Sequence, residues 1–198
     1  MGWKGKPVNP TTMERLMRKT SALVLTLFAA ATSSLILGPA VLAADNPATV
    51  NLYALTDTGV GDPIGTIDLK DSKKGLVLSP KLSHLPPGTH GIHIHQLPDC
   101  RAVEKDGASV AGLAAGGHFD PAETGKHLGP NGEGHKGDLP ALTVNDKGEA
   151  VTPLVAPHLT MADVENHAII IHAGGDNYSD DPKPLGGGGA RIACGVVK

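Results

Sequence analysis

From Thr49 onward apolar and polar positions alternate in short runs, the period of half-buried β-strands. Val50, Leu52 and Ala54 alternate with Asn51, Tyr53 and Leu55, which predicts a strand ending at Thr56-Asp57. Gly59-Val60-Gly61-Asp62-Pro63 carries turn chemistry, and Ile64 to Leu69 reads as a second strand. Asp71-Ser72-Lys73-Lys74-Gly75 is a further turn, followed by a strand from Leu76 to Leu82. Pro86-Pro87-Gly88 breaks the chain before a strand over His90 to Gln96. Pro140 to Val144 and Glu149 to Val155 predict two strands joined by Asn145-Asp146-Lys147-Gly148. Ala168 to His172 and Arg191 to Val197 complete the set. Helical periodicity is confined to a turn over Met161 to Asn166. Many short strands separated by turn signals predict an all-β sandwich or barrel.

Three stretches fall outside this pattern. Cys100 to Leu113 reads as a polar, alanine-rich loop, and Gly174 to Gly189 as a long loop ending in the low-complexity run Gly186–Gly189. The third, Gly116 to Leu139, is glycine-rich and nearly without hydrophobic periodicity. A loop of that length inside a domain is uncommon and usually functional or disordered. It holds His118, His127, His135 and Asp138, and three imidazoles with one carboxylate make a complete tetrahedral set for zinc. On the preceding strand His93 and His95 fall on one face and Ile92 and Ile94 on the other. The isoleucines can therefore enter a core while two imidazoles converge outside it. With His172 this gives seven candidate ligands, too many for one tetrahedral ion and suited to two ions sharing one residue. All-imidazole donors suit copper, and a histidine–carboxylate mixture suits zinc.

The N-terminus changes what the rest can be. Arg15, Arg18 and Lys19 precede an apolar run from Ala22 to Leu37, and Val41-Leu42-Ala43 ends in a small residue. This is the anatomy of a secretory signal peptide over residues 1–43, with an uncleaved membrane anchor as the alternative. The remaining domain, 44–198, keeps all ten histidines with 12 basic and 19 acidic residues, a net charge of −7. An acidic domain without a basic stripe is a poor partner for nucleic acid or an anionic membrane. Both cysteines, Cys100 and Cys194, lie in the exported part. In an oxidising compartment they most simply form a disulfide; the alternative is two thiol metal ligands, though no CxxC spacing is present.

Together, Gly-Ile-His-Ile-His (91–95), Gly-Gly-His-Phe-Asp-Pro (116–121), Gly-His-Lys-Gly-Asp-Leu-Pro (134–140), Ile-Ile-Ile-His-Ala-Gly-Gly-Asp-Asn (169–177) and Gly-Gly-Ala-Arg-Ile-Ala-Cys-Gly-Val (188–196) resemble the copper/zinc superoxide dismutases. The bacterial exported branch is the most similar, and the resemblance spans residues 48–198. It implies a Greek-key β-sandwich, a flattened eight-stranded barrel with two long functional loops, the zinc loop and the electrostatic loop. By resemblance His93, His95, His118 and His172 match copper ligands. His118, His127, His135 and Asp138 match zinc ligands, with His118 bridging the two ions. Asp176 matches a carboxylate that bonds to one histidine of each site, Cys100 and Cys194 match the family disulfide, and His90 matches a structural histidine. No role carries over to His84, His158 or His167. Ile92 departs from the family, where an aromatic residue is common.

The resemblance further implies dismutation of superoxide to dioxygen and hydrogen peroxide by alternating reduction and reoxidation of copper, in a periplasmic monomer or homodimer. Such enzymes are a standard instance of catalysis near the diffusion limit. Arg191 matches a channel arginine that attracts the anionic substrate. A domain of net charge −7 repels superoxide overall, so local positive potential must overcome the global field; Lys126, Lys136 and Lys183 are further contributors. Two other functions fit the same residues: a copper-binding or copper-delivery protein on this fold, and a structural domain that binds only zinc. Retention of all four copper-type histidines and of Arg191 favours the enzyme.

Overall fold

A computed structural model describes residues 47–198. The expected signal peptide, 1–43, lies outside the described residues. The strands are β1 (Ala48–Thr56), β2 (Gly59–Ser72), β3 (Gly75–Leu82), β4 (Gly88–His90), β5 (Ile92–His95), β6 (Val103–Lys105), β7 (Ala108–Val110), β8 (Leu142–Val144), β9 (Leu154–Ala156), β10 (Ala168–His172) and β11 (Arg191–Val196). Besides two 3₁₀ turns, Leu113–Ala115 and Leu185–Gly187, a short α-helix, α1 (Met161–Val164), follows Thr160, which forms a capping box with Asp163.

Seven strands form one antiparallel sheet in the order β5-β10-β11-β1-β2-β3-β9. β4 runs into β5 across Gly91 and pairs with β8, so β8 continues the order beyond β5. With β4–β5 counted as one strand and the β6–β7 hairpin set aside, eight strand positions make the flattened Greek-key barrel: β4–β5 and β8 lie at the far end of the order from β3, and β9 returns to pair with β3. Alternate side chains of β1, β2 and β3 enclose the core: Val50 and Leu52, Ile67 and Leu69, Leu76, Leu78 and Leu82 are buried. Ile92 and Ile94 from β5 and Ile169 and Ile171 from β10 close it from the other side. Burying an aliphatic side chain of this kind contributes roughly 1.5–3 kcal/mol before conformational entropy is subtracted.

Three details differ from the sequence-based expectation. The reversal after β1 is made by Asp57 and Thr58, with Thr56 opposite Gly59, so Gly59 to Pro63 belongs to β2. Pro63 has no N–H to give the ladder, and register shifts between Leu52 and Leu55 accommodate it. The stretch Cys100–Leu113 contains the hairpin β6–β7, turned by Asp106-Gly107 with φ of 55° and 79°. An Asp-Gly pair with both residues at positive φ is the favoured two-residue hairpin turn. The strand expected over Glu149–Val155 is reduced to β9 and an isolated bridge between Ala150 and Leu82; Pro153 lies between them and cannot donate.

Candidate metal centre

Strand alternation on β5 sends Ile92 and Ile94 into the core and His93 and His95 to the opposite face, where both are fully buried under other elements. β10 pairs with β5 so that Ile170 faces His93. A bulge between Ile171 and His172 then shifts the register, and His172 comes opposite Arg191 of β11. Bulges re-aim side chains in this way; here one places an imidazole and a guanidinium side by side.

The loop carrying the other candidate ligands docks on the free edge of β5. Gln96 N donates to Gly117 O (3.0 Å), Phe119 N to Ile94 O (2.8 Å) and Ile94 N to Gly137 O (2.9 Å). Gly137 is required, because a Cβ there would overlap the Ile94 carbonyl. These contacts bring His118 and Asp138 to β5, forming the bridges His95–His118 and His93–Asp138.

Two groups result. One donor atom each from His93, His95, His118 and His172 lies within 4.8 Å of the others, all four residues buried. On the far side of His118, Asp138 Oδ1 lies 3.0 Å from His118 Nδ1 and 3.4 Å from His135 Nδ1, while Asp138 Oδ2 lies 3.0 Å from His127 Nδ1. The donor atoms that lie within 4.8 Å of one another here are those of His93, His118, His127 and Asp138. His135 stands outside that set and meets it at Asp138 Oδ1, while His93 Nε2 donates to Asp176, leaving only its Nδ1 available.

The ring nitrogens test whether metals fit. Six buried ones make no hydrogen bond: His93 Nδ1, His95 Nε2, His118 Nε2 and His172 Nε2, and also His127 Nδ1 and His135 Nδ1, which approach Asp138 at 3.0 and 3.4 Å without hydrogen-bond geometry. Buried polar atoms are otherwise nearly always paired. In four of these rings the other nitrogen donates to a fixed acceptor. His93 Nε2 and His127 Nε2 each bond to Asp176 at 2.7 Å, His95 Nδ1 to Gly116 O at 3.0 Å and His172 Nδ1 to Gly189 O at 3.2 Å. A neutral imidazole that donates through one nitrogen presents a bare lone pair on the other, as His93, His95 and His172 do, and such outer partners are the usual means of orienting metal-binding histidines.

Electrostatics point the same way. Burial, reinforced by charge on His118 and His172, lowers His93 to about 3. Burial likewise lowers His172 to about 4, and it lowers His95, where the charges of His118 and Arg191 add to it. His118 is lowered by burial against the pull of Asp138. These four rings are therefore neutral near pH 7, as ligands must be. His127 behaves oppositely: burial opposes its charge, but the carboxylates of Asp138 and Asp176 outweigh burial and raise it to about 9. Both carboxylates are held well below the usual range; burial opposes this and the histidine contacts overcome it.

Arg191 is half-buried, and its guanidinium donates to the carbonyls of Gly112 (2.5 Å) and Gly116 (2.6 Å). The Gly116 carbonyl also accepts from His95, so the arginine and an imidazole of the first group are fixed to one peptide. The segment supplying those carbonyls is tethered by the disulfide Cys100–Cys194, with Cys194 in β11; no thiol is left for a metal. Lys136 pairs with Asp163 at 2.6 Å, which partly neutralises it, and Lys183 lines an open depression beside Asp176.

His90 is buried with its two ring nitrogens 2.8 Å from the carbonyl oxygens of His172 and Pro86, leaving none for a metal. His84 and His158 are exposed. His167 packs against Phe119, ring centroids 4.3 Å apart and tilted by 48°, and bonds through Nδ1 to the His95 carbonyl, a supporting contact the sequence did not reveal. Also unforeseen was Asp180, whose carboxylate accepts from His127 N (2.8 Å) and Leu185 N (3.0 Å) and so joins the two long loops.

A curled Greek-key barrel carrying two adjoining imidazole-rich donor sets defines a binuclear metalloprotein of the superoxide-dismutase class. The family model for copper/zinc superoxide dismutase (SODC) matches residues 64–197. The chain is 56% identical over 145 residues to a copper–zinc superoxide dismutase of Photobacterium leiognathi, covering 73% of this chain and 84% of that protein. It is 49% identical over 172 residues to that of Escherichia coli K12, covering 86% and 98%. Among solved structures, the Cu/Zn superoxide dismutase from Brucella abortus is similar with a TM-score of 0.76 and 48% identity, over 77% of this chain and all of that one. The monomeric enzyme from Salmonella enterica gives 0.71 and 52%, with the same coverage. The chain belongs to the copper/zinc superoxide dismutase family.

Proposed function

We propose that this enzyme converts superoxide to dioxygen and hydrogen peroxide with copper held by His93, His95, His118 and His172, and zinc held by His118, His127, His135 and Asp138. The observation that carries the assignment is the set of six buried ring nitrogens that make no hydrogen bond. Four belong to an all-imidazole group, which suits copper. The other two join His118 Nδ1 and Asp138 in a three-histidine, one-carboxylate group, which suits zinc. When bound, copper supplies a one-electron couple, and zinc supplies charge and order to a loop with little hydrophobic core.

The chain's own residues do the rest. His118 faces both groups, with Nδ1 toward Asp138 and Nε2, buried and free, in the copper set. This Nε2 would hold either copper or a proton, never both, and in its protonated state it is the atom we assign to deliver a proton to the reduced substrate. Arg191, opposite His172 across the ladder, attracts the anion and orients it. Its two carbonyl anchors hold the guanidinium in one place, so little reorganisation accompanies capture. Residues 1–43 serve as a cleaved signal peptide, and 44–198 as the mature periplasmic domain; the disulfide suits such an oxidising compartment.

Metal analysis after loading tests the ligand division. His172→Ala is expected to lose copper and keep zinc, and His135→Ala to lose zinc and keep copper. A His135→Ala variant that still holds one zinc at wild-type affinity would remove His135 from the set.

A further inference from the structure

The run Gly186–Gly189 reads as low complexity in the sequence, yet in the structure it presses on the residues that organise both metal sites. Gly186 has φ of 70°, and a Cβ built on it would overlap Asp176 Oδ1 and lie 2.8 Å from His127 Nε2. Backbone bonds hold it there: Gly186 N donates to Ser179 O at 3.0 Å, and Asn177 N donates to Gly186 O at 3.1 Å. Its neighbour Leu185 is fixed by Asp180, which also binds the His127 amide. Asp176 Oδ1 accepts from His127 Nε2 and Tyr178 N, so with Gly186 against it the carboxylate has no room to retreat.

We infer that Gly186 is a positioning residue: its bare Cα, pinned over Asp176, holds that carboxylate in the one place from which it reaches both His93 and His127. The inference rests on the ligand division proposed above. A methyl group at 186 forces Asp176 Oδ1 away from His127, leaves that ring's orientation unsupported and loosens the zinc set. Because Asp176 Oδ2 orients His93, the copper set feels the same displacement.

Gly187 provides an internal control. Its φ of 76° is nearly that of Gly186, so alanine meets the same left-handed backbone penalty. The nearest atoms to a Cβ there, however, are Lys183 Cβ and Cδ at 3.6 and 3.7 Å, an ordinary contact. Comparing the two variants separates contact with Asp176 from backbone strain.

The test is the rate of zinc release from the copper- and zinc-loaded protein to excess chelator, with the Cu(II) electron paramagnetic resonance spectrum as a second readout. Gly186→Ala is expected to lose zinc roughly 10–100-fold faster, the range for disturbed outer-sphere partners, and to shift the copper hyperfine splitting. Gly187→Ala should match wild type in both. Equal release from the two alanine variants would overturn the inference. Asp176→Ala separates the two levels of the argument: unchanged zinc release in that variant would sink the role of Asp176 itself, whereas fast release there with normal release in Gly186→Ala would sink only Gly186. If Gly186→Ala fails to fold, Asp176→Ala/Gly186→Ala decides. With the carboxylate gone, the overlap with Asp176 Oδ1 disappears and His127, no longer tied to Asp176, can yield its 2.8 Å contact with the methyl. The double variant should therefore fold and release zinc like Asp176→Ala alone; a double variant as defective as Gly186→Ala contradicts the mechanism.

Discussion

His93 and His127 donate to opposite oxygens of one buried carboxylate, each through Nε2 at 2.7 Å to Asp176. One ring belongs to the all-imidazole group and the other to the histidine–carboxylate group, so a single side chain in the loop after β10 orients a ring in each. Removing it strands two buried N–H groups, at about 1–3 kcal/mol for each. Asp176→Ala is therefore expected to lower zinc affinity roughly 10–100-fold while leaving the β-barrel folded. Competition against a chromogenic chelator measures this, and unchanged affinity would contradict the shared role.

Arg191 is anchored at two carbonyls, which makes it a fixed charge. Arg191→Glu should slow substrate capture and change how the rate responds to ionic strength, since charges beyond about 10 Å are largely screened at 0.1 M salt. Arg191→Lys should recover the charge but only part of the rate, because an ammonium cannot reproduce the guanidinium fork. Rates measured against salt for the three proteins check both statements; an unchanged low-salt rate in Arg191→Glu would count against steering.

The disulfide joins residues 94 positions apart. In the chain-entropy account, loop closure of that length is worth about 4–5 kcal/mol. Cys100→Ser/Cys194→Ser should accordingly lower unfolding stability by several kcal/mol in denaturant titrations. It should also depress activity in the folded fraction, since Gly112 and Gly116, the anchors of Arg191, lie on the segment that Cys100 tethers.

The metal-free protein should be sensitive to acid in a defined window. In the unfolded chain His93 and His172 titrate near the ordinary 6.5, and in the fold at about 3 and about 4. Below pH 6.5 the unfolded state therefore binds more protons, and stability falls with pH. For His172 the loss continues to about pH 4 and for His93 to about pH 3, below which both states are protonated. Thermal unfolding of metal-free protein from pH 7 to 4 should show a steadily falling midpoint. A flat profile would mean that these rings are not buried neutral.

The strands, and the histidines that the fold brings together, were legible in the sequence because period-two alternation and clustered histidines are local signals. His93 and His95 could be placed on one face of β5 from their spacing alone, and the Met161 turn from the residues after Thr160. The β6–β7 hairpin was missed although Asp106-Gly107 announces it, because its flanks are too short and polar to show alternation. Gly59–Pro63 misled for the opposite reason: turn-forming residues there accommodate a register shift within a strand. Gly186 and Asp180 were not legible at all. Their importance lies in what approaches them across the fold, and no periodicity encodes a close approach.

The most direct test is superoxide decay followed by pulse radiolysis, with residues 44–198 loaded with one copper and one zinc. A second-order constant of roughly 10⁸–10⁹ M⁻¹s⁻¹ is expected. Slow decay with both metals bound would contradict the enzymatic account and leave a copper-binding protein on the same fold.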